Sequence, residues 1–161
     1  MTPYLPKHKL VVLDDDPTGV QTVHDIYVYT DWSLENIRAG FTGSEPLFYI
    51  LTNSRSFTAE QTKEVHTQIA ERVWQVSQET GIPFLLISRS DSTLRGHYPL
   101  ETETLRQTLE ALGAPHFDGE ILCPFFLEGG RLTMDNIHYV KSGEQLIPAA
   151  ETEFAKDPTF G

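Results

Sequence analysis

Apolar and polar positions fall in alternating blocks along the chain. Lys9 to Leu13 reads Lys-Leu-Val-Val-Leu and breaks off at Asp14-Asp15-Asp16-Pro17. That run is too short for a helix and apolar enough for a buried parallel strand with a loop at its carboxyl end. Ile26 to Thr30 is a second β-branched and aromatic run, after which Ser33 caps a short helix expected to reach about Ala39 and to stop at Gly40. Leu47 to Leu51 predicts the next strand, closing in Thr52-Asn53-Ser54-Arg55-Ser56. Thr58, followed three residues later by Gln61, makes a capping-box pattern, and Val65, Ile69, Val73 and Val76 recur at helical spacing up to Gly81.

Ile82 to Ser88 predicts a further strand, with Pro83 near its start where a missing donor is tolerated. Pro99 then opens a helix lined by Leu105, Leu109 and Leu112 and ended by Gly113. Gly119 to Cys123 is expected to be a strand, with Cys123 a small buried hydrophobe. Beyond Pro124 the pattern thins: Gly129-Gly130 marks a turn, and His138 to Val140 with Gln145 to Ile147 predict a hairpin around Ser142-Gly143. Trp32, Trp74 and most phenylalanines read as packing. Alternating strands and helices predict an α/β fold, expected as a three-layer α/β/α, Rossmann-like arrangement with a mainly parallel sheet and one domain over residues 1–161.

In such sheets ligands lie outside the carboxyl ends of the strands. Four predicted ends are polar: Asp14 to Thr18, Thr52 to Ser56, Ser88 to Arg95, and the stretch reaching Arg131. Of seven arginines, Arg38, Arg72 and Arg106 fall on predicted helices, whereas Arg55, Arg89, Arg95 and Arg131 fall in these loops and are expected to converge. Guanidinium forks suit a carboxylate or phosphate, and neighbouring acids suit hydroxyls, so the pattern points to a polyhydroxylated anion.

The charge balance sharpens this. With 12 basic and 23 acidic residues the formal net charge is −11, which excludes a broad surface for nucleic acid or anionic lipid and leaves anion binding to a local site. The single cysteine cannot form an internal disulfide, no apolar run approaches the roughly 20 residues of a membrane span, and Met1 to His8 lack a signal peptide's apolar core. A cytoplasmic protein is expected.

Two clusters carry candidate chemistry. Asp14-Asp-Asp-Pro-Thr-Gly19 could accept a proton from a substrate hydroxyl, hold a cation, or be a solvated turn in which Asp16 and Thr18 bond backbone amides. The same residues fit the Asp-x-Asp-x-Thr loop of haloacid-dehalogenase-type phosphatases, with Asp14 as nucleophile and Asp16 as acid/base; that magnesium-dependent alternative lacks a fitting lysine and a downstream acidic pair, since Asp135 stands alone. Ser88-Arg-Ser-Asp-Ser-Thr-Leu-Arg-Gly-His97 could clasp a sugar acid through Arg89 and Arg95 with Asp91 on a hydroxyl, or could be a loop stitched by Asp91 pairing with an arginine. His24 and His97 flank the clusters; the other histidines show no zinc spacing, and no phosphate loop, dinucleotide turn or nucleophile elbow occurs.

Taken together, Leu13 to Asp25, Ser88 to His97, Gly130-Arg131 and Glu151-Thr-Glu-Phe-Ala-Lys-Asp-Pro158 resemble, in order and over nearly the whole chain, the sugar-binding N-terminal domain of the four-carbon acid sugar kinase family. The resemblance implies that this domain holds a threonate-, erythronate- or oxo-tetronate-like acid, that a separate C-terminal domain binds ATP with Mg, and that a phosphoryl group passes to a terminal alcohol. By motif, Asp15, Asp16 and Thr18 would face substrate hydroxyls, with Asp16 favoured over Asp91 as catalytic base. Arg89, Asp91 and Arg95 would grip the acid and Arg131 would approach the cleft; Arg55 is a substrate-binding candidate through the convergence of the loop arginines, not through a motif. Many members have Ala-Asp-Asp-Leu-Thr-Gly where this chain has Asp14 and Pro17, which implies a subgroup with a different substrate. Against the family pattern the chain stops at Gly161, short of the ATP domain. The expectation is therefore a substrate-binding half that is inactive alone and works with a separate nucleotide-binding chain or self-associates, or else a non-catalytic sugar-acid-binding remnant.

Overall fold

The computed structural model of the chain describes residues 8–20, 23–93 and 95–156. The sequence motifs above therefore lose Gln21, Thr22, Leu94, Asp157 and Pro158, and the start through Lys7, which lie outside the described residues.

Four parallel strands form the main sheet: β1 (Lys9–Asp14), β2 (Val28–Tyr29), β3 (Leu47–Leu51) and β4 (Phe84–Arg89), in the order β2-β3-β1-β4. The most buried strand, β1, lies inside, its Val11 level with Phe48 and Leu86 and its Asp14 level with Leu51 and Arg89. Successive side chains alternate between faces. Val11, Leu13, Phe48 and Ile50 point to a core closed by three helices, α1 (Leu34–Thr42), α2 (Ala59–Thr80) and α3 (Leu100–Ala111). Both helix-start signals hold: the Ser33 hydroxyl accepts from the Asn36 amide, and Thr58 and Gln61 close the capping box. Gly81 ends α2 in the left-handed conformation that glycine adopts freely. Trp32 and Trp74 pack against the core as expected.

The α/β class and the mainly parallel sheet stand as expected, and several details differ. The helices on the core contribute Ile37, Phe41, Ile69, Leu105 and their neighbours to one face of the sheet, so of the three layers expected, the described residues build two. On the opposite face Leu85 is 55% and Ile87 43% exposed. Gly40 does not stop α1, which runs on to Thr42; it is buried because a side chain there would meet the Phe48 ring at 2.7 Å, so the glycine serves close packing of helix on sheet.

Gly119 to Cys123 forms no strand, and Cys123 is exposed, not buried. The chain is drawn away by the second, antiparallel sheet, β5 (Arg131–Met134), β6 (Ile137–Ser142) and β7 (Gln145–Pro148). Phe126 bridges to Arg131, and the Thr133 hydroxyl donates to the Pro124 carbonyl at 2.9 Å, which anchors the segment just after Cys123. The β6–β7 hairpin matches the expected turn at Ser142-Gly143. His138 ties this sheet to the main one, its Nε2 lying 2.7 Å from the Ser92 carbonyl. No helix among the described residues is long and apolar enough to cross a membrane.

Candidate functional site

Parallel pairing brings the ends of β1, β3 and β4 to one edge, and three of the four predicted polar loops meet there. The Asp15 amide donates to the Arg89 carbonyl, the Thr52 amide to the Asp14 carbonyl, and the Arg55 amide to the Asp15 carbonyl. These backbone bonds lock the loops together.

Asp15 and Arg55 form the centre. Arg55 Nε donates to Asp15 Oδ2 at 2.9 Å and Nη2 to Oδ1 at 2.8 Å, a bidentate pair in which both side chains are largely buried. The remaining Arg55 nitrogen, Nη1, lies 3.3 Å from Asp16 and 3.7 Å from Asp91. One guanidinium thus gathers three carboxylates from two loops. Asp91 is held in addition by Arg95, whose Nε donates at 2.7 Å, and by the Thr93 hydroxyl. The Arg95 guanidinium lies over the Phe154 ring, 5.0 Å from its centroid.

Burial alone would raise the Asp91 pKa, but the bonds from Arg95 and Thr93 and the Arg55 charge outweigh it and hold the carboxyl below its ordinary value. Asp16 follows the same logic: burial opposes ionisation, yet the Thr18 hydroxyl and amide and the nearby Arg55 and Arg89 leave its pKa lowered. Asp14 goes the other way. It is 1% exposed, Arg89 Nη1 stands 3.4 Å from its Oδ1, and its Oδ2 has no hydrogen-bond partner. Burial, with Asp15 and Asp16 adding repulsion, outweighs the relief from Arg89 and from a hydrogen bond from the Asp16 backbone and pushes it up to about 6. Gly19 closes over this carboxylate so tightly that a β-carbon there would fall 2.0 Å from both oxygens.

Arg89 therefore differs from its neighbours. Among the described residues its Nη1 alone has a hydrogen-bond partner, and its side chain is 29% exposed. Arg131 does not join the cluster: it opens the antiparallel strand β5, turns a nitrogen back onto the Gly129 carbonyl and leaves its Nε unpartnered. Its expected convergence depended on a fifth parallel strand before it, which Gly119 to Cys123 do not form. The stitched-loop reading of Asp91 with Arg95 is what the geometry realises, so neither is open in the way a direct grip on an acid would need. Asp16 and Thr18 stay at the surface, while Asp15 is occupied by Arg55.

Sequence reasoning missed the support beneath the site. The Ser54 hydroxyl donates to buried Glu101 Oε1 at 2.8 Å, and His66 Nε2 lies 3.7 Å from the same oxygen. Burial holds the His66 ring toward its neutral form against the pull of Glu101. Ser90 reaches Asp15, and Gly96 is required because a side chain there would press on the Ser90 hydroxyl. The signal was present: Glu101 is in helical register with Leu105 and Leu109, a charged residue on an apolar stripe. Among the described residues no group of three or more His, Cys, Asp or Glu side chains could hold a metal ion. With Asp14 roofed by Gly19, the haloacid-dehalogenase alternative has no accessible nucleophile.

Residues 10–161 match a family described as the sugar-binding N-terminal domain. A similar solved structure is a domain of unknown function from Bordetella bronchiseptica, crystallised with bound citrate as a domain-swapped dimer. It has TM-score 0.66 and 24% identity, and the match covers 95% of this chain and 36% of that one. The likeness is one of fold, and this chain spans about a third of the length of that protein. No curated protein matches.

Proposed function

The chain belongs to the family of sugar-binding N-terminal domains, and on that footing we propose that it binds a small hydroxylated carboxylic acid, the substrate of a four-carbon acid sugar kinase. One observation carries this reading: at a strand-end edge where Arg55 and Arg95 are committed to carboxylates, the partly exposed Arg89 has no hydrogen-bond partner on Nε or Nη2 among the described residues. A guanidinium in that state suits a planar, bidentate carboxylate. Asp16 and Thr18 lie beside it, and a carboxylate kept ionised accepts hydrogen bonds from substrate hydroxyls. The citrate bound in the Bordetella structure is an acid of the same chemical class.

In this reading Asp15 and Asp91 position Arg55 and Arg95, Asp16 meets the acceptor hydroxyl, and Arg131 takes no part in the grip. ATP and Mg belong to the kinase assignment, but the described residues do not fit them: no metal-ligating trio converges and no phosphate-cradling loop is present. The cytoplasm is the matching compartment for a chain whose one cysteine is free.

A thermal-shift panel of four-carbon hydroxy acids tests the reading. An acid at about a hundred times its Kd should stabilise the fold by roughly 2.7 kcal/mol, several degrees in Tm. Arg89→Gln should abolish the shift, and a shift that survives this change would overturn the assignment of Arg89.

A second copy of the chain is the proposed partner. In the main sheet β4 has β1 on one side only, while Ile121 is 95% and Leu122 62% exposed on a segment with strand-forming composition. The Bordetella domain is itself a swapped dimer. Light scattering should report a concentration-dependent dimer that Ile121→Lys returns to monomer; a monomer at all concentrations would remove this partner.

A further inference from the structure

Asp14 is the one residue of the acidic run that none of the contacts above explains. It ends β1 level with Arg89 on the face of the sheet away from the helices, so the two side chains are neighbours on adjacent strands. Its Oδ1 meets Arg89 Nη1 at 3.4 Å, and its Oδ2 is buried without a partner under Gly19. A buried carboxylate oxygen with no donor is costly and is relieved by a proton.

The groups around it are few. Arg89 faces it from β4, Tyr49 interacts with it from β3, and Asp15 and Asp16 lie in the loop that follows. Three acids and one guanidinium therefore surround one another, while the Arg55 guanidinium is spent on Asp15, Asp16 and Asp91.

Resting on the acid-binding reading above, we propose that Asp14 is a positioning residue that acts through Arg89 and sets how much negative charge a bound acid can carry. When Asp14 is ionised it shares the guanidinium and repels an incoming carboxylate; when it is protonated, Arg89 is released to the ligand at full charge. Binding an acid at Arg89 then draws a proton onto Asp14, by reciprocal linkage. Burial of Asp14, 1% exposed beside the partly exposed Arg89, limits how far salt screens this coupling. The value of about 6 for Asp14 puts the exchange within reach of ordinary buffers.

The test uses threonate, whose carboxyl stays ionised across pH 5.5–7.5, an interval on the order of the lower end of histidine titration and well above an α-carboxyl. Titration calorimetry is run on the whole chain in two buffers of different ionisation enthalpy. The wild-type protein should take up a fraction of a proton on binding near pH 6.5, and its Kd should tighten by about tenfold from pH 7.5 to 5.5, the effect of one pKa unit of coupling. Asp14→Asn should bind with no such uptake and a flat profile. Asp14→Ala serves as the second variant, with circular dichroism to show that each is folded. Uptake and pH dependence equal in wild type and variants, with acid bound, would overturn this inference alone. Absence of binding by the wild-type chain at every pH would overturn the acid-binding reading and this inference with it.

Discussion

Asp14 and Asp15 are consecutive in sequence and almost equally inaccessible, yet they belong to opposite halves of the site. Strand geometry sends them to opposite faces of the sheet. Asp15 turns to the helix side, where Arg55 grips it with two bonds, Ser90 adds a third, and the Ser54–Glu101–His66 network sits underneath. Asp14 turns to the face that no helix among the described residues covers, where Arg89 offers one nitrogen at 3.4 Å. The same residue type, one position apart, has both carboxylate oxygens hydrogen-bonded on one side and a buried oxygen without a partner on the other. Burial does not separate them, since both are nearly inaccessible; their partners do.

The comparison breaks most severely at Arg55. Arg55→Ala leaves Asp15 buried without its counter-ion and brings Asp16 and Asp91 toward mutual repulsion, so denaturant unfolding should show a loss of about 3–5 kcal/mol. Arg55→Lys should recover only part of it, because an ammonium cannot make the bidentate contact. A loss below about 1 kcal/mol for the alanine variant would mean that the helix-side half is no better balanced than the other, on the scale of exposed pairs.

Much of the fold on the helix side was legible in the sequence. β1, β3 and α2 are strongly patterned, their caps are local, and the core they build requires only that apolar stripes meet. The site was legible in its composition and less so in its pairing. The three loops that meet follow from parallel topology, but which arginine each acid would take depends on side-chain reach across loops, and Arg55, weighed as one of four, turned out to be the organiser. Gly40 shows the limit of a punctuation rule: its neighbour across the core, Phe48, is invisible to local sequence. Gly119 to Cys123 shows another, since a strand needs a partner and the competing contacts at Pro124 and Phe126 come from residues farther along the chain. Glu101 and His66 could have been found as polar residues on apolar stripes.

A finer test sets Asp14 against Asp91, two carboxylates at neighbouring loops with pKa values displaced in opposite directions. Asp14 is raised in the folded state, from 3.8 to about 6. The folded chain therefore holds its proton longer than the unfolded chain, and wild-type stability falls as pH rises from about 4 through about 6. Asp14→Asn removes that penalty: it should be more stable than wild type at pH 7 by up to about 3 kcal/mol, the size of two pKa units, with the gap closing below about pH 4. Asp91 is lowered, so its contribution is present above the unfolded value and is lost as pH falls through its folded value. Asp91→Asn should cost about 2 kcal/mol at pH 7, in the range of charge-assisted hydrogen bonds, and that gap should also close in acid. The two difference curves, measured by urea unfolding from pH 3.5 to 7.5, should lie on opposite sides of zero. Curves of the same sign would mean that Arg89 satisfies Asp14 as fully as Arg95 satisfies Asp91, and the distinction between the two faces of the sheet would then vanish.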